Sequence, residues 1–437
     1  TETASRFPVR MMESGPAAGA LVASYYAERL GLDRLLSFDM GGTTAKACLI
    51  EDRKPTVTGL FEVDRMYRFK AGSGMPVIIP AIDMIEIGAG GGSLASVDAL
   101  GLLKVGPRSA GSEPGPACYG RGGENPAVTD ADLVLGLLDA DNFLGGDMQL
   151  DKAASEAAIK PLADRLGTSV PQTARGIFQV VNESMAAAAR AHATDRGIDY
   201  RGMPVLAFGG AGPVHACHVA ELLESTTVIY PPLASVLSAF GTLVTPVRFD
   251  LARGTAGGID WKAAEATYAD MASEAGIALE AAGCAPDEIT YIYGADMRYA
   301  GQQNEVTIDF DGDPTGKQDI ASMRESFETS YEAQYGLRLP NMKIEVVAWR
   351  ISALGPAVER HGIPDLADKA GDPKGHRPVF IAGAPEPVAV YDRSALAAGQ
   401  VMDGPVIIEE RETTIFILPG WTASVAENGC ITAERKE

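Results

Sequence analysis

Residues 38–47 read FDMGGTTAKA, and this run constrains the fold more than any other. Two short apolar stretches, 35–38 and 47–50, flank a Gly-Gly turn, which predicts a strand, a tight turn and a second strand. An acid at the end of a buried strand, then two glycines, then two hydroxyls, is the make-up of a compact cradle for polyphosphate and magnesium. Gly41 and Gly42 let backbone N–H groups approach phosphate oxygens, Thr43 and Thr44 supply hydroxyls, and Asp39 is placed to hold a metal-bound water. The plainer reading is a hairpin turn that happens to be Gly-Gly-Thr, since short glycine motifs match by chance.

A second turn of this kind lies far along the chain. Residues 205–208 predict an apolar strand, Gly209, Gly210, Ala211 and Gly212 a turn, and the residues from about Pro213 a helix. Strand, glycine turn and helix N-terminus together make a place where backbone amides and the helix dipole can meet a nucleotide. The spacing is not that of a dinucleotide fingerprint, and GxxxxGK[ST] does not occur, so neither a Rossmann nor a P-loop protein is indicated. A DxGGT hairpin paired with a distant GGAG turn resembles the arrangement of the actin and hexokinase superfamily, where the first turn holds phosphates and the second the adenosine.

Glycines also crowd residues 78–123, in IEIGAGGGS and SAGSEPGPACYGRGG, alternating with strand-like stretches at 85–87 and 102–105. Such alternation implies ordered loops with close backbone approaches. Helical patterns cover 14–32, 130–138 and 152–193, and a further strand 227–230. Beyond about residue 250 one helix, 261–281, precedes strand-like segments at 289–293, 306–310, 344–353, 379–381, 406–409 and 414–418. The expected division is an α/β part, 1–255, and an α+β, mostly β, part, 256–437.

A formal net charge of −21 with no basic cluster excludes a nucleic-acid or anionic-membrane surface. No apolar run is long enough to span a bilayer and no secretory signal pattern is present, so a cytoplasmic protein is expected. The five cysteines are scattered without CxxC spacing, which fits reduced thiols. Cys118 reads as a small buried thiol rather than a nucleophile. His215 and His218, three residues apart on a helix, are a weak metal signal without further ligands. Asp296 and Arg298 alternate on a strand and are expected to form a structural ion pair.

The segments SGPAAGA, FDMGGTTAK, IEIGAGGGS, KVGPRSAGSEPGPACYGRGG, TDADLVLG, AFGGAGPVHA, LSAFGTL, DMRYAGQ, EAQYGLRLP and GPVIIEERETT stand in the order typical of hydantoinase A/5-oxoprolinase proteins. The chain resembles that family over essentially its whole length. The resemblance implies an actin-like (ribonuclease-H-like) ATPase half, 1–255, followed by the β-rich α+β domain. It implies ATP and Mg2+, with Asp39, Gly41, Gly42, Thr43 and Thr44 at the phosphates and Gly209, Gly210, Ala211 and Gly212 at the adenosine. Gly90, Gly91, Gly92 and Ser93 match the GAGGGS loop, for which a nucleotide or substrate contact is expected, and Asp130 is a second carboxylate candidate for magnesium or water. Many members have an acid where this chain has Lys46.

Members usually carry a further DxGGT-type motif in a preceding half. That half, on the same chain or a separate one, is expected to complete the ATP cleft, with a hydantoinase B-type partner subunit. The implied function is ATP-dependent activation of a cyclic amide carbonyl, hydantoin or 5-oxoproline, for ring-opening hydrolysis. The alternatives are the ATP-binding subunit of an ATP-dependent ketone carboxylase and a non-catalytic scaffold subunit. Intact Asp39, Gly41, Gly42 and GGAG argue against the scaffold.

Overall fold

Arg34–Met40 and Ala45–Glu51 form the expected hairpin, in an antiparallel register that sets Asp39 opposite Lys46. The computed structural model describes all residues except 1–4, 7, 12–13, 59–60, 64–71, 78, 80, 256–258, 304, 357–365 and 437. On its other edge Arg34–Met40 runs parallel to Val205–Phe208, with Asp39 opposite Phe208, and Thr227–Tyr230 lies parallel beyond that. All four residues of Val205–Phe208 are buried, as a central strand covered on both faces requires; hence its unbroken apolar run.

Helices cover this sheet for reasons legible in their ends and faces. Val170–Asp195 starts at Ser169, whose side chain accepts from the Gln172 amide while Gln172 Oε1 accepts from the Ser169 amide, a capping box that satisfies two end donors. Its buried residues, Ala174, Ile177, Phe178, Val181, Met185 and Ala189 among them, recur at three and four and join one core with Leu36, Phe38 and Val205. Truncating one such fully buried aliphatic side chain to Ala costs about 2–5 kcal/mol. Gly212–Leu222 and Val128–Leu135 pack into the same core.

Compactness groups residues 1–242 with 361–437 and sets 243–360 apart. This grouping differs from the division at 255 and 256 drawn from the sequence; residues 256–258 themselves lie outside the described residues. The difference arises from non-local pairing. Ile431–Arg435 lies antiparallel to Thr227–Tyr230, and Trp421–Val425 then Val401–Asp403 continue the same sheet. A second sheet orders Gly375–Phe380, Pro385–Asp392, Val406–Glu409 and Thr414–Ile417. The sequence pattern marks 379–381, 406–409 and 414–418 and leaves Pro385–Asp392, Val401–Asp403, Trp421–Val425 and Ile431–Arg435 unmarked, and local pattern says nothing of partners.

The 243–360 unit is α+β. Its sheet orders Arg248–Gly254, Ile344–Leu354, Thr290–Tyr299 and Val306–Phe310, all antiparallel. Trp261–Ala281 forms as expected, and a second helix, Ile320–Tyr335, occupies a stretch in which no helix was expected. Met323, Phe327 and Tyr331, four apart, bury its inner face against Tyr299 and Val346. The expected Asp296–Arg298 pair does not form: Asp296 bonds Arg350 Nη1 at 2.8 Å and Thr307 Oγ1 at 2.6 Å, whereas Arg298 meets Glu345 at 3.2 Å. Neighbours along one strand alternate faces or sit two apart, so cross-strand partners compete better. Among the described residues no helix is long and apolar enough to cross a membrane.

Candidate functional site

Because Arg34–Met40 and Val205–Phe208 are parallel neighbours, the turns that follow them open at the same edge of the sheet. The two glycine turns, 41–44 and 209–212, are therefore brought together, although the chain separates them widely. The Ala211 amide donates to the Met40 carbonyl at 3.0 Å and locks the second turn against the first. Gly209 has φ +86, and a Cβ there would lie 2.4 Å from the Met40 oxygen and 2.5 Å from Asp39 Oδ1. Only a glycine meets both conditions.

In the first turn the Gly41 amide donates to the Thr44 carbonyl at 3.0 Å. Among the described residues the amides of Gly42, Thr43 and Thr44 have no acceptor. Gly42 and Thr43 are exposed. A run of outward amides beside hydroxyls is a nest suited to an anion. Lys46, in the following strand, donates to Thr44 Oγ1 at 2.6 Å and lies 3.4 Å from Glu86 Oε1, so its charge sits at the rim of the nest. Gly212–Leu222 starts at the second turn, leaving the first-turn amides of Gly212 and Val214 without intrahelical acceptors.

Asp39 stands between the two turns. Burial lifts its carboxyl above the ordinary carboxylate range, and the hydrogen bond from Ser238 Oγ, at 3.1 Å, and the Lys46 charge pull it back in part. Ser238 belongs to Leu237–Val244, which carries the LSAFGTL run of the sequence. Two further residues come from 410–413: Thr413 Oγ1 donates to the Gly210 carbonyl at 3.0 Å, and Glu412 Oε2 accepts from Ser235 Oγ at 3.0 Å. Their signal in the sequence was slight, a serine pair three residues apart in an otherwise apolar 233–240 and a threonine directly after Glu412.

The GAGGGS loop joins the site differently from expectation. The Gly91 amide donates to the Gly41 carbonyl at 3.0 Å, Gly92 to Gly42 at 2.6 Å, and Ser93 to Gly90 at 2.9 Å, while the Gly90 amide donates to Ser93 Oγ at 2.9 Å. All four residues are buried and every amide is engaged, so Gly90, Gly91, Gly92 and Ser93 brace the first turn from beneath. A Cβ at Gly90 would lie 2.7 Å from the Gly42 carbonyl oxygen, which is why this loop is glycine.

Asp130 is likewise placed elsewhere. Its carboxylate accepts from the amides of Ala117, Cys118 and Ala127 and from Ser155 Oγ, four donors for four lone-pair positions, with no exposed surface. It pins the SEPGPACYG loop to a helix start and has no capacity left for magnesium or water. Cys118 beside it is buried, its thiol raised by burial and then by the Asp130 charge.

His215 is buried, stacked on Phe178 with ring centroids 4.7 Å apart, with Nδ1 2.9 Å from Asn182 Oδ1 and Nε2 3.3 Å from Asp132 Oδ2. Burial lowers the His218 pKa. Among the described residues no group of three His, Cys, Asp or Glu is arranged to hold a metal. An ion at Asp39 would need oxygens from a ligand and water to complete its shell.

Residues 1–251 match the Hydantoinase/oxoprolinase family and residues 260–433 the Hydantoinase/oxoprolinase C-terminal domain. The chain is 37% identical to an uncharacterised protein of Methanocaldococcus jannaschii, over 99% of this chain and 63% of that one. It is 34% identical to the caprolactamase subunit alpha of Pseudomonas jessenii, over 95% of this chain and 60% of that one. The crystal structure of the ATP-dependent caprolactamase from that organism superposes with a TM-score of 0.75 at 32% identity, covering 98% of this chain and 62% of the other. The nucleotide-free structure of acetone carboxylase, an ATP-dependent system, gives 0.82 at 26% identity, covering 96% and 61%. The chain thus spans about three fifths of the length of these relatives.

Proposed function

The chain belongs to the hydantoinase/oxoprolinase family, and we propose that it forms one wall of an ATP cleft in an enzyme that phosphorylates the carbonyl oxygen of a cyclic amide for ring-opening hydrolysis. The observation that carries this reading is the convergence of both glycine turns on Asp39. We read residues 1–255 as an actin-like, ribonuclease-H-like half. Three antiparallel strands, Lys54–Pro55, Ala45–Glu51 and Arg34–Met40, followed by two parallel ones, Val205–Phe208 and Thr227–Tyr230, support it.

The residues present fit ATP and Mg2+. The unengaged amides of Gly42, Thr43 and Thr44 and the Thr43 hydroxyl would bind phosphate oxygens, with the Lys46 charge alongside. Gly209 lets the Met40 carbonyl and the Asp39 carboxylate close up against the second turn, and the helix at Gly212 adds its positive end. Asp39 would hold the metal through water, an arrangement that also compensates its burial. Mg2+ held there would supply charge neutralisation for the phosphates. Phosphoryl transfer relies on groups on both sides of the phosphates, so this wall acts with a second one. We assign that wall to the portion of the relatives' length that this chain does not span, on the same or a separate chain, and final hydrolysis to a hydantoinase B-type partner.

The caprolactamase relative, whose name denotes a cyclic amide, is more similar in sequence than the acetone carboxylase structure. The fold, however, superposes more closely on acetone carboxylase, which favours a ketone carboxylase subunit as the second reading. Retention of Asp39 and both glycine turns stands against a scaffold without turnover.

The test is phosphate release from Mg·ATP by the chain alone and with its completing half and partner subunit. Stimulation by lactams, hydantoins or 5-oxoproline in the assembly supports the amide reading. Stimulation only by ketone with bicarbonate moves the chain to the carboxylases. Absence of ATP binding in every assembly overturns both.

A further inference from the structure

Two serines on one short helical stretch each hold a carboxylate beside the second glycine turn. Ser238 Oγ donates to Asp39 Oδ2 at 3.1 Å and Ser235 Oγ to Glu412 Oε2 at 3.0 Å. The stretch runs through Ala234–Val236 into Leu237–Val244, and three-residue spacing puts both hydroxyls on one face. The stretch is itself fixed to the turn, since the Gly209 amide donates to the Ala234 carbonyl at 2.9 Å.

Segment 410–413 reaches the same turn. Its own turn is closed by the Glu410 amide on the Thr413 carbonyl at 2.9 Å, and Thr413 Oγ1 holds the Gly210 carbonyl. A Cβ on Gly210 would lie 3.9 Å from the Glu412 carbonyl oxygen. Two acids thus border the turn, the Asp39 carboxylate against Gly209 and the Glu412 backbone against Gly210, with the Glu412 carboxylate held by Ser235.

Their surroundings differ in kind. Asp39 adjoins the amide nest and Lys46, a setting for phosphate and cation. Among the described residues the one cation paired with Glu412 is Arg411, with Nε 3.7 Å from Oε1, and that guanidinium also bonds Asp147 at 3.0 Å, while Glu410 is a second acid within reach of the Glu412 charge. A carboxylate so placed repels phosphate and must face the other end of a bound nucleotide. Its side chain is 43% exposed beside the exposed Gly210, so it is open to a ligand lying across the turn. The group joined to the phosphates of a nucleotide is a ribose, whose vicinal hydroxyls are donors, and an acid on ribose hydroxyls is a recurrent solution in other nucleotide folds.

Resting on the reading of this edge as an ATP cleft, we propose that Glu412 accepts the ribose hydroxyls of the nucleotide and that Ser235 orients it. Selection for a ribonucleotide then lies in 410–413, a segment distant in sequence from both glycine turns.

Calorimetric titration of the assembled enzyme with ATP, 2′-deoxy-ATP, 3′-deoxy-ATP and inorganic tripolyphosphate tests this. Wild type is expected to bind ATP roughly tenfold or more tightly than at least one deoxy analogue, the scale of one hydrogen bond to a charged acceptor. Glu412→Ala is expected to bring ATP down to the level of that analogue while tripolyphosphate affinity stays at its wild-type value, and Glu412→Gln, which keeps one acceptor, to retain part of the preference. A wild-type enzyme indifferent to the sugar hydroxyls, or a preference unchanged in Glu412→Ala, overturns the assignment and leaves the cleft standing. Wild type binding neither ATP nor tripolyphosphate overturns the cleft itself and the ribose contact with it.

Discussion

The Asp39 carboxylate occupies the space that a side chain at Gly209 would need, with Oδ1 2.5 Å from the Cβ position there. Replacing Gly209 by Ala must either displace Asp39 or distort a turn at φ +86. The expected result is a loss of about 2 kcal/mol or more of stability. A fall of at least about tenfold in ATP affinity should accompany it. Chemical denaturation and nucleotide titration check the two together, and wild-type affinity in a folded Gly209→Ala protein would remove the nucleotide from this turn.

Asp39 itself makes a prediction with a sign. Its pKa is raised in the folded protein, chiefly by burial, so folding favours the protonated form. Stability from this group is full below the unfolded value near 3.8 and is lost as pH rises through the raised folded value. Asp39→Asn should therefore melt no lower than wild type at pH 7 without Mg·ATP, and its relative advantage should vanish at acidic pH. Turnover of the assembled enzyme should fall at least about 100-fold, as when an electrostatic group of a reaction centre is removed. Melting curves across pH and a phosphate-release assay decide it; full turnover would detach Asp39 from the chemistry.

Asp130 should behave in the opposite way. Asn at this position places an amide against three backbone N–H groups, and the expected cost is about 2–4 kcal/mol of stability. Nucleotide affinity per folded molecule should stay near wild type, because Asp130 braces a loop. Urea denaturation measures the first and titration the second; a stable Asp130→Asn protein that no longer binds nucleotide would return Asp130 to the site.

Burial pushes the thiols of Cys48 and Cys217 up to about 12 and that of Cys430 to about 11. Cys118 is raised as well, and Cys284 alone of the five cysteines is partly exposed. An aromatic disulfide reagent at pH 8 should titrate one thiol quickly in the native protein and the remaining four only on denaturation. Rapid reaction of more than one would contradict the packing described.

Much of this was legible because it is local. The DMGGTT hairpin announced itself through an apolar–glycine–apolar rhythm, and the strands Val205–Phe208, Thr227–Tyr230 and Val306–Phe310 begin and end where the sequence pattern sets them. What stayed hidden depends on partners far along the chain. Gly90, Gly91 and Gly92 look like ligand-binding glycines in sequence, and only the carbonyls of Gly41 and Gly42 above them reveal a brace. Asp130 reads as a free acid until the amides of Ala117 and Cys118 are seen to converge on it. Glu412 and Ser235 owe their meeting to the return of 361–437 to the first sheet.

That return also sets the order in which a nascent chain can become native. Thr227–Tyr230 has one neighbour, Val205–Phe208, as soon as both have left the ribosome, but its other edge stays bare until Ile431–Arg435 emerges. Through the synthesis of everything between, a largely buried strand waits with unpaired amides and carbonyls. A message truncated before residue 431 would yield a protein whose glycine turns are already written yet whose sheet is open to any passing strand.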